Sequence, residues 1–366
     1  MIPIMKVHTP PNIGEILQKV WDSGMITEGQ YSDLFEQKFG EYIHNPNTAL
    51  TNSCTSALTL AAHMCDVGPD TEVITTPMTC MATQVPFVNM GADLMFADID
   101  PLTGNIDPHQ IEKLVRRSKK RVAAIVVVHW GGQPCDMDAI HKISKEYGIK
   151  VIEDAAHALR AEYKGKLIGN HSDYVCFSFQ AVKHLTTGDG GAIACKTKED
   201  YERIKRLRWF GLDRKHQGLS RWEQDISEIG YKFHMNNVNA SIGLEQLKFI
   251  DALIDKHIEN ALYYDKHLDN SKITSMKRYA DRVSSEWIYT ILTEDREKLQ
   301  KYLKKNGIAS DRVHVSNDGY SAFDNRIKTD LNHTHSFDKQ KLCIPVGWWV
   351  SPEERNHIVS ALNDYS

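Results

Sequence analysis

Apolar runs of strand length alternate with stretches of helical spacing through the first two-thirds of the chain. Glu72 to Thr75, Asp93 to Ala97, Val122 to Val128 and Lys150 to Asp154 read as strands, the third strongly apolar and β-branched. Between them, Thr79 to Met90, Pro108 to Ser118 and Met137 to Tyr147 have helical spacing. Ala49 to Leu58 reads as a strand, a small polar turn and a helix start. Tyr174 to Phe179 and Ala192 to Cys195 are two more strands. This alternation predicts an α/β fold, a mostly parallel sheet flanked by helices on both faces. Ligands of such sheets gather at the carboxyl ends of the strands.

Ahead of this block lie a helix from Gly14 to Asp22 and a second with Leu34, Phe35, Phe39, Tyr42 and Ile43 on one face. They predict an N-terminal arm that packs against another part of the chain. Behind the block come a charged helix (Lys198 to Arg208), a polar-aromatic loop (Glu228 to Asn239) and a long helix (Asp251 to Leu268). The composition shifts near Asn270. The remainder combines a strand (Trp287 to Leu292), helices at Arg296 to Asn306 and Pro352 to Tyr365, and a His-rich loop at Asn332 to His335. The expected division is an arm plus large domain over residues 1–250, then a linking helix plus smaller C-terminal α+β domain over residues 251–366.

With 366 residues, 41% hydrophobic and 25% charged, the composition is that of an ordinary globular protein. A net charge of -4 gives no general pull toward nucleic acid or an anionic membrane. No run reaches the ~18 apolar residues of a membrane-spanning helix. The opening MIPIMKVHTPP is too short and Pro-rich for a signal peptide. Seven scattered cysteines without a CxxC pair read as reduced thiols in a cytoplasmic protein. No GxGxxG follows a strand, which argues against a dinucleotide fold, and no His, Cys and Glu cluster at metal-ligand spacing.

The candidate chemistry concentrates between Val151 and Ala192. One strand ends in Glu153 and Asp154, a second ends near Ser178, and Lys183 follows before the Gly-rich turn Thr186 to Gly191. An amine that forms Schiff bases needs a depressed pKa. Pyridoxal phosphate (PLP) needs a group facing its pyridine nitrogen to act as an electron sink. Asp154 suits that nitrogen, Lys183 the Schiff base, and Ser178 the phosphate. Thr55 and Ser56, in the first turn of a helix, suit the same phosphate, because N–H groups there are unpaired and the helix dipole is positive. Each residue alone reads more readily as a strand-end acid, a solvated lysine or a plain N-cap. The predicted sheet brings Thr55, Asp154, Ser178 and Lys183 to one rim, and that convergence favours the cofactor. The loop His129 to Pro134 either touches substrate or only folds on itself. Lys205, Arg206, Arg208, Arg214 and Lys215 read mostly as a solvated face, and Trp348 and Trp349 as interdomain core.

The stretches GMITEGQYSDLFEQKFGEYI, VHWGGQPCDM, EDAAHA, FSFQAVKHLTTGDGG and LCIPVGWWVSPEE follow one another in that order. Through them nearly the whole chain resembles the nucleotide-sugar aminotransferases of the DegT/StrS group, PLP enzymes of fold type I, the aspartate-aminotransferase fold. The resemblance implies that Lys183 is the Schiff-base lysine and Asp154 the partner of the pyridine nitrogen. It also implies that Ser178, Thr55 and Ser56 hold the phosphate, and that His157, where the group usually has Gln, lies near the PLP hydroxyl. Three positions depart from the group. Its Ser-Gly-Thr turn reads Ser53-Cys54-Thr55, and Cys80 stands where an aromatic usually stacks on the PLP ring. Its Gly-Tyr-Asn loop, which reaches a neighbouring subunit's phosphate, reads Gly230-Tyr231-Lys232, so Lys232 would act there as a point charge. The implied activity is a ping-pong transfer of an amino group from L-glutamate, through pyridoxamine phosphate, to a keto-sugar nucleotide. C4 of a 6-deoxyhexose is favoured over C3, and a shared site makes the enzyme at least a homodimer. Two alternatives stand beside it. One is a PLP-dependent sugar dehydratase of the same fold, in which a His replaces the lysine, as His184 would after a one-residue shift. The other is a non-enzymatic regulator with this fold.

Overall fold

The computed structural model describes residues 1–214, 218, 220, 222–323 and 326–366. Its helices are α1 (Ile13–Asp22), α2 (Gln30–Tyr42), α3 (Cys54–Met64), α4 (Val85–Asn89), α5 (Pro108–Arg117) and α6 (Met137–Tyr147). After these come α7 (Lys198–Leu207), α8 (Asn237–Leu247), α9 (Ile250–His267), α10 (Arg296–Lys305), α11 (Asn332–Gln340) and α12 (Pro352–Asn363). The strands are β1 (Thr48–Thr51), β2 (Thr71–Thr75), β3 (Asp93–Phe96), β4 (Arg121–Val128), β5 (Lys150–Asp154), β6 (Glu162–Tyr163) and β7 (Lys166–Leu167). They continue with β8 (Tyr174–Ser178), β9 (Gly191–Cys195), β10 (Thr274–Ser275), β11 (Arg282–Val283), β12 (Tyr289–Leu292) and β13 (Lys341–Ile344).

Seven strands form the central sheet in the order β1-β9-β8-β5-β4-β2-β3. From β3 across to β8 every pairing is parallel, and β9 runs antiparallel to both of its neighbours. The predicted mostly parallel α/β sheet is therefore present. The period of two along these strands sorts their side chains into two cores. Ile125, Val127, Val151, Val175 and Phe177 face one core with α2, α5 and α6. Ala124, Val126, Ile152, Tyr174 and Cys176 face the other with α3 and α7. A third apolar cluster surrounds the antiparallel sheet β10-β12-β13 and includes residues of α9, α10 and α12. Among the described residues, no helix is long and apolar enough to cross a membrane.

Three local expectations are corrected. Thr79 to Met90 is not one helix but a 3-10 turn at Met81–Thr83 followed by the short α4. Pro86 lies in the first turn of α4, the part of a helix that tolerates a missing N–H. The His-rich segment is not a loop but the start of α11, because the Asp98 carboxylate accepts from the amides of His333 (2.9 Å) and Thr334 (2.7 Å). Leu34 turns outward, while Phe35, Phe39 and Ile43 are buried. The arm, α1 and α2, packs on α8.

The basic residues after β9 are not simply a solvated face. Glu36 of α2 is buried and accepts from Arg208 Nη1 (2.6 Å), from Lys205 and from the Leu50 amide (3.0 Å). Arg208, also buried, reaches Glu28 as well (3.2 Å). Lys215 lies outside the described residues. Burial pushes the Glu36 carboxyl up, but the Arg208 and Lys205 charges outweigh it and hold the group at about 2. Glu36→Ala leaves Arg208 buried with a weaker counter-charge, so unfolding free energy at pH 7 should fall by about 3–5 kcal/mol in urea titration. The ordinary value for this carboxyl is 4.5, so its contribution is complete above pH 4.5 and is lost as pH falls toward 2. The variant should lack that part of the acid-unfolding slope.

Candidate active site

The pleat of β5 turns Asp154 to the same face as Ile152, where α3 packs, and Glu153 to the opposite face. By the same parity Ser178, two residues beyond Cys176, shares the face of Asp154. Asp154 is buried. Its Oδ2 accepts from the Thr83 hydroxyl (2.7 Å) and its Oδ1 from the Ala156 amide (3.1 Å), with Cys54 Sγ 4.0 Å away. Thr79 completes the relay by donating to Thr83 Oγ1 (2.8 Å). Burial raises the Asp154 carboxyl above its ordinary value, against the Thr83 and Ala156 bonds.

Glu153 does different work. Its Oε2 meets His129 Nε2 at 2.8 Å, both side chains fully buried. The Cys135 amide donates to His129 Nδ1 (3.1 Å), which leaves the ring proton on Nε2, facing the carboxylate. Trp130 is also buried and donates from Nε1 to Thr290 (3.2 Å). The His129 to Pro134 loop is thus built from its own polar groups and those beneath it.

Past β8 the chain turns sharply, with Ser178 Oγ accepting from the Gln180 amide (3.3 Å). The Gly-rich segment returns it to β9 beneath the start of α3. A Cβ on Gly191 would lie 2.6 Å from the Cys54 amide nitrogen, so only glycine fits there. The turn leaves the Lys183 Nζ 3.7 Å above the centre of the Trp287 ring, and among the described residues that amine has no hydrogen-bond acceptor. Burial lowers the Lys183 pKa to about 8, opposed by Asp154, Cys54 and Cys80. His157 is buried and stacks on Trp287 (3.8 Å, 18°), with the His314 ring 5.7 Å away. His157 Nδ1 and His314 Nε2 are buried without a partner. Burial first, and Lys183 second, keep both rings neutral, His314 at about 4. His184 packs instead against His257 of α9 (4.8 Å).

The phosphate candidates sit where expected, in the first turn of α3. The N-cap Ser53 Oγ accepts from the Ser56 amide (3.0 Å), and Ser56 Oγ donates to Asn52 (2.6 Å). The Thr55 hydroxyl has no hydrogen bond among the described residues. Cys80, half-buried, precedes the turn that carries Thr83. Lys232 stands apart from this cluster: its Nζ lies 3.4 Å from the centre of the Trp209 ring, which Arg214 also covers at 4.3 Å. Trp348 and Trp349 are half-buried. The Trp348 ring meets His8 (5.4 Å), and Trp349 Nε1 donates to the Pro3 carbonyl (2.8 Å), so both pack against the N-terminal residues.

Sequence reasoning missed Thr83, Trp287 and His314. Thr83 had a weak signal, standing three residues after Cys80. Trp287 and His314 arrive from a strand entry and a loop without a motif. Thr83→Val keeps the shape but strips a buried carboxylate of its hydroxyl donor. It should cost about 1.5–3 kcal/mol in urea titration and raise the Asp154 pKa further.

The DegT/DnrJ/EryC1/StrS aminotransferase family model matches residues 10–363. A UDP-4-amino-4,6-dideoxy-N-acetyl-beta-L-altrosamine transaminase of Campylobacter jejuni is 34% identical over 339 residues, covering 90% of this chain and 88% of that protein. Among solved structures, the sugar aminotransferase CalS13 from Micromonospora echinospora superposes with a TM-score of 0.94 at 32% identity, both chains covered in full. Spr1654 from Streptococcus pneumoniae, solved in its PLP form, gives a TM-score of 0.89 at 27% identity, over 99% of this chain and 97% of that one.

Proposed function

The chain belongs to the DegT/DnrJ/EryC1/StrS aminotransferase family, and we propose that it transfers an amino group from L-glutamate to a keto-sugar carried on a nucleotide diphosphate, with PLP as cofactor. One observation carries this reading: the half-buried Lys183, whose amine has no hydrogen-bond acceptor among the described residues, stands on the same rim as the buried carboxylate of Asp154. The residues present fit PLP. Beyond that amine, the buried Nδ1 of His157 lacks a partner, as a group awaiting a polar ligand would. A relative named for a UDP-4-amino sugar supports both the nucleotide diphosphate and amination at C4, and a neighbour solved in its PLP form supports the cofactor.

Bound PLP supplies an electron sink for the electron pair left when an α-hydrogen is removed. The rest falls to the chain. Lys183 holds the cofactor covalently. As a free amine it would take up and return a proton at Nζ, and its pKa of about 8 leaves a useful neutral fraction near neutrality. Asp154, oriented by Thr83 and Ala156, keeps the pyridine nitrogen protonated. Thr55, Ser56 and Ser178 serve the phosphate and His157 the ring hydroxyl. Cys80 would stand beside the cofactor, and its side chain offers less surface than an aromatic would.

Lys232 serves the phosphate of a second subunit in a homodimer. Exposed apolar side chains support this assembly: Trp21, Met25, Ile26, Phe210, Trp222, Ile226 and Ile229 lie in the arm and in the stretch leading to Lys232. Glu28 ties the two stretches together through Arg208 and Arg214. Residues 251–366 provide the linking helix and the smaller α+β domain, and seven free cysteines support a reducing, cytoplasmic setting. The placement of His184 against α9, with Lys183 at the rim, favours transamination over the dehydratase, and the retained lysine and acid favour an enzyme over a regulator.

Lys183→Ala should abolish turnover of glutamate with a 4-keto-6-deoxyhexose nucleotide and any borohydride-trapped cofactor on the chain. Retained steady-state activity would remove Lys183 from this role. Lys232→Ala should also be inactive, and activity should partly return when the two variants are unfolded and refolded together, because mixed dimers rebuild one whole site. If mixing restores nothing, Lys232 is not shared between chains.

A further inference from the structure

We propose that Trp287 is a positioning residue for Lys183: its indole face holds the free ammonium, and its indole N–H fixes the backbone beside it. The proposal rests on Lys183 being the reactive lysine. Trp287 is buried and makes three contacts at this point. Its Nε1 donates to the carbonyl of Val182 (2.9 Å), the residue before Lys183. The Lys183 Nζ lies 3.7 Å from its ring centre. His157 stacks on the same indole (3.8 Å).

The indole is itself anchored to the strand end that carries the acid. The Trp287 amide donates to the Gly131 carbonyl (2.8 Å), in the loop after β4 that the buried Glu153–His129 pair holds. Ser285, two residues earlier, donates from Oγ to the His157 carbonyl (2.8 Å). A path of direct contacts therefore runs from Glu153 through the Gly131 loop and Trp287 to Lys183. It fixes the amine relative to Asp154 although no hydrogen bond joins the two residues.

The indole also acts on protonation. An ammonium over an aromatic face is attracted by the ring quadrupole, most strongly by tryptophan, and a neutral amine is not. Trp287 thus favours the free, protonated lysine and gives up that contact when Lys183 is neutral or covalently engaged. Burial works the other way. The other titratable groups facing Lys183 are Asp154 on β5, Cys54 at the start of α3, Cys80 before the Met81–Thr83 turn, and His157, His184 and His314. All of these groups are retained in a Trp287 variant, although His157 loses the indole on which it stacks.

The test uses the full chain freed of cofactor and follows acetylation of Lys183 against pH by mass spectrometry. The wild-type midpoint should lie at about 8. Trp287→Phe keeps an aromatic face but loses the N–H, and should stay near the wild-type midpoint. Trp287→Leu should fall by about half a pH unit or more. If Trp287→Leu does not fold, as judged by circular dichroism, Trp287→Met, long and without a ring, takes its place with the same expectation. An unchanged midpoint in the ring-less variant would overturn the proposal, as would equal shifts in the Phe and ring-less variants. Because no cofactor is present, such a failure leaves the PLP reading of Lys183 untouched, and failure of that reading leaves this midpoint untouched.

Discussion

The pleat at the end of β5 is the constraint on which the site depends. Adjacent residues of a strand point to opposite faces, so Glu153 and Asp154 cannot share a task. Asp154 enters the space beside α3, where one hydroxyl and one amide hold it. Glu153 enters the opposite core and is matched by His129, which shapes the loop that follows β4. That loop seats Trp287, and Trp287 seats Lys183. One strand end thus provides both the acid and the scaffold for the amine.

The electrostatic contrast across the molecule follows the same division. Where the chain needs rigidity, buried charge is paired: Glu36 has Arg208 and Lys205, and Glu286 has Arg278. At the rim, His157 Nδ1 and His314 Nε2 are buried without partners, and the half-buried Lys183 has only the Trp287 ring beside its amine. Unpaired polar groups in a low-dielectric setting are costly, so their concentration around one lysine marks a place prepared for a polar ligand. The same enclosure lowers the pKa of Lys183 and keeps the imidazoles neutral.

Much of this was legible in the chain. The apolar runs of β4, β5 and β8 have strand length and little ambiguity, and the parallel-sheet rule then brings Asp154, Ser178, Lys183 and the first turn of α3 to one rim. What escaped depends on contacts between distant segments. Nothing near Trp287 says that its indole will meet Lys183. Nothing near Arg208 says that Glu36, from the arm, will bury it. Asn332 to His335 has a loop composition, and Asp98, far earlier in the chain, makes it the start of a helix. Local pattern reads elements and strand ends well, while caps and partners supplied from elsewhere in the chain leave no local trace.

The central claim is that Lys183 binds PLP covalently and that L-glutamate displaces it. The most direct measurement is the absorbance spectrum of the purified chain with PLP, before and after L-glutamate is added. The account predicts a visible band of lysine-bound cofactor that disappears on addition of glutamate, with release of 2-oxoglutarate equal to the cofactor bound. A spectrum that remains that of free PLP would contradict it.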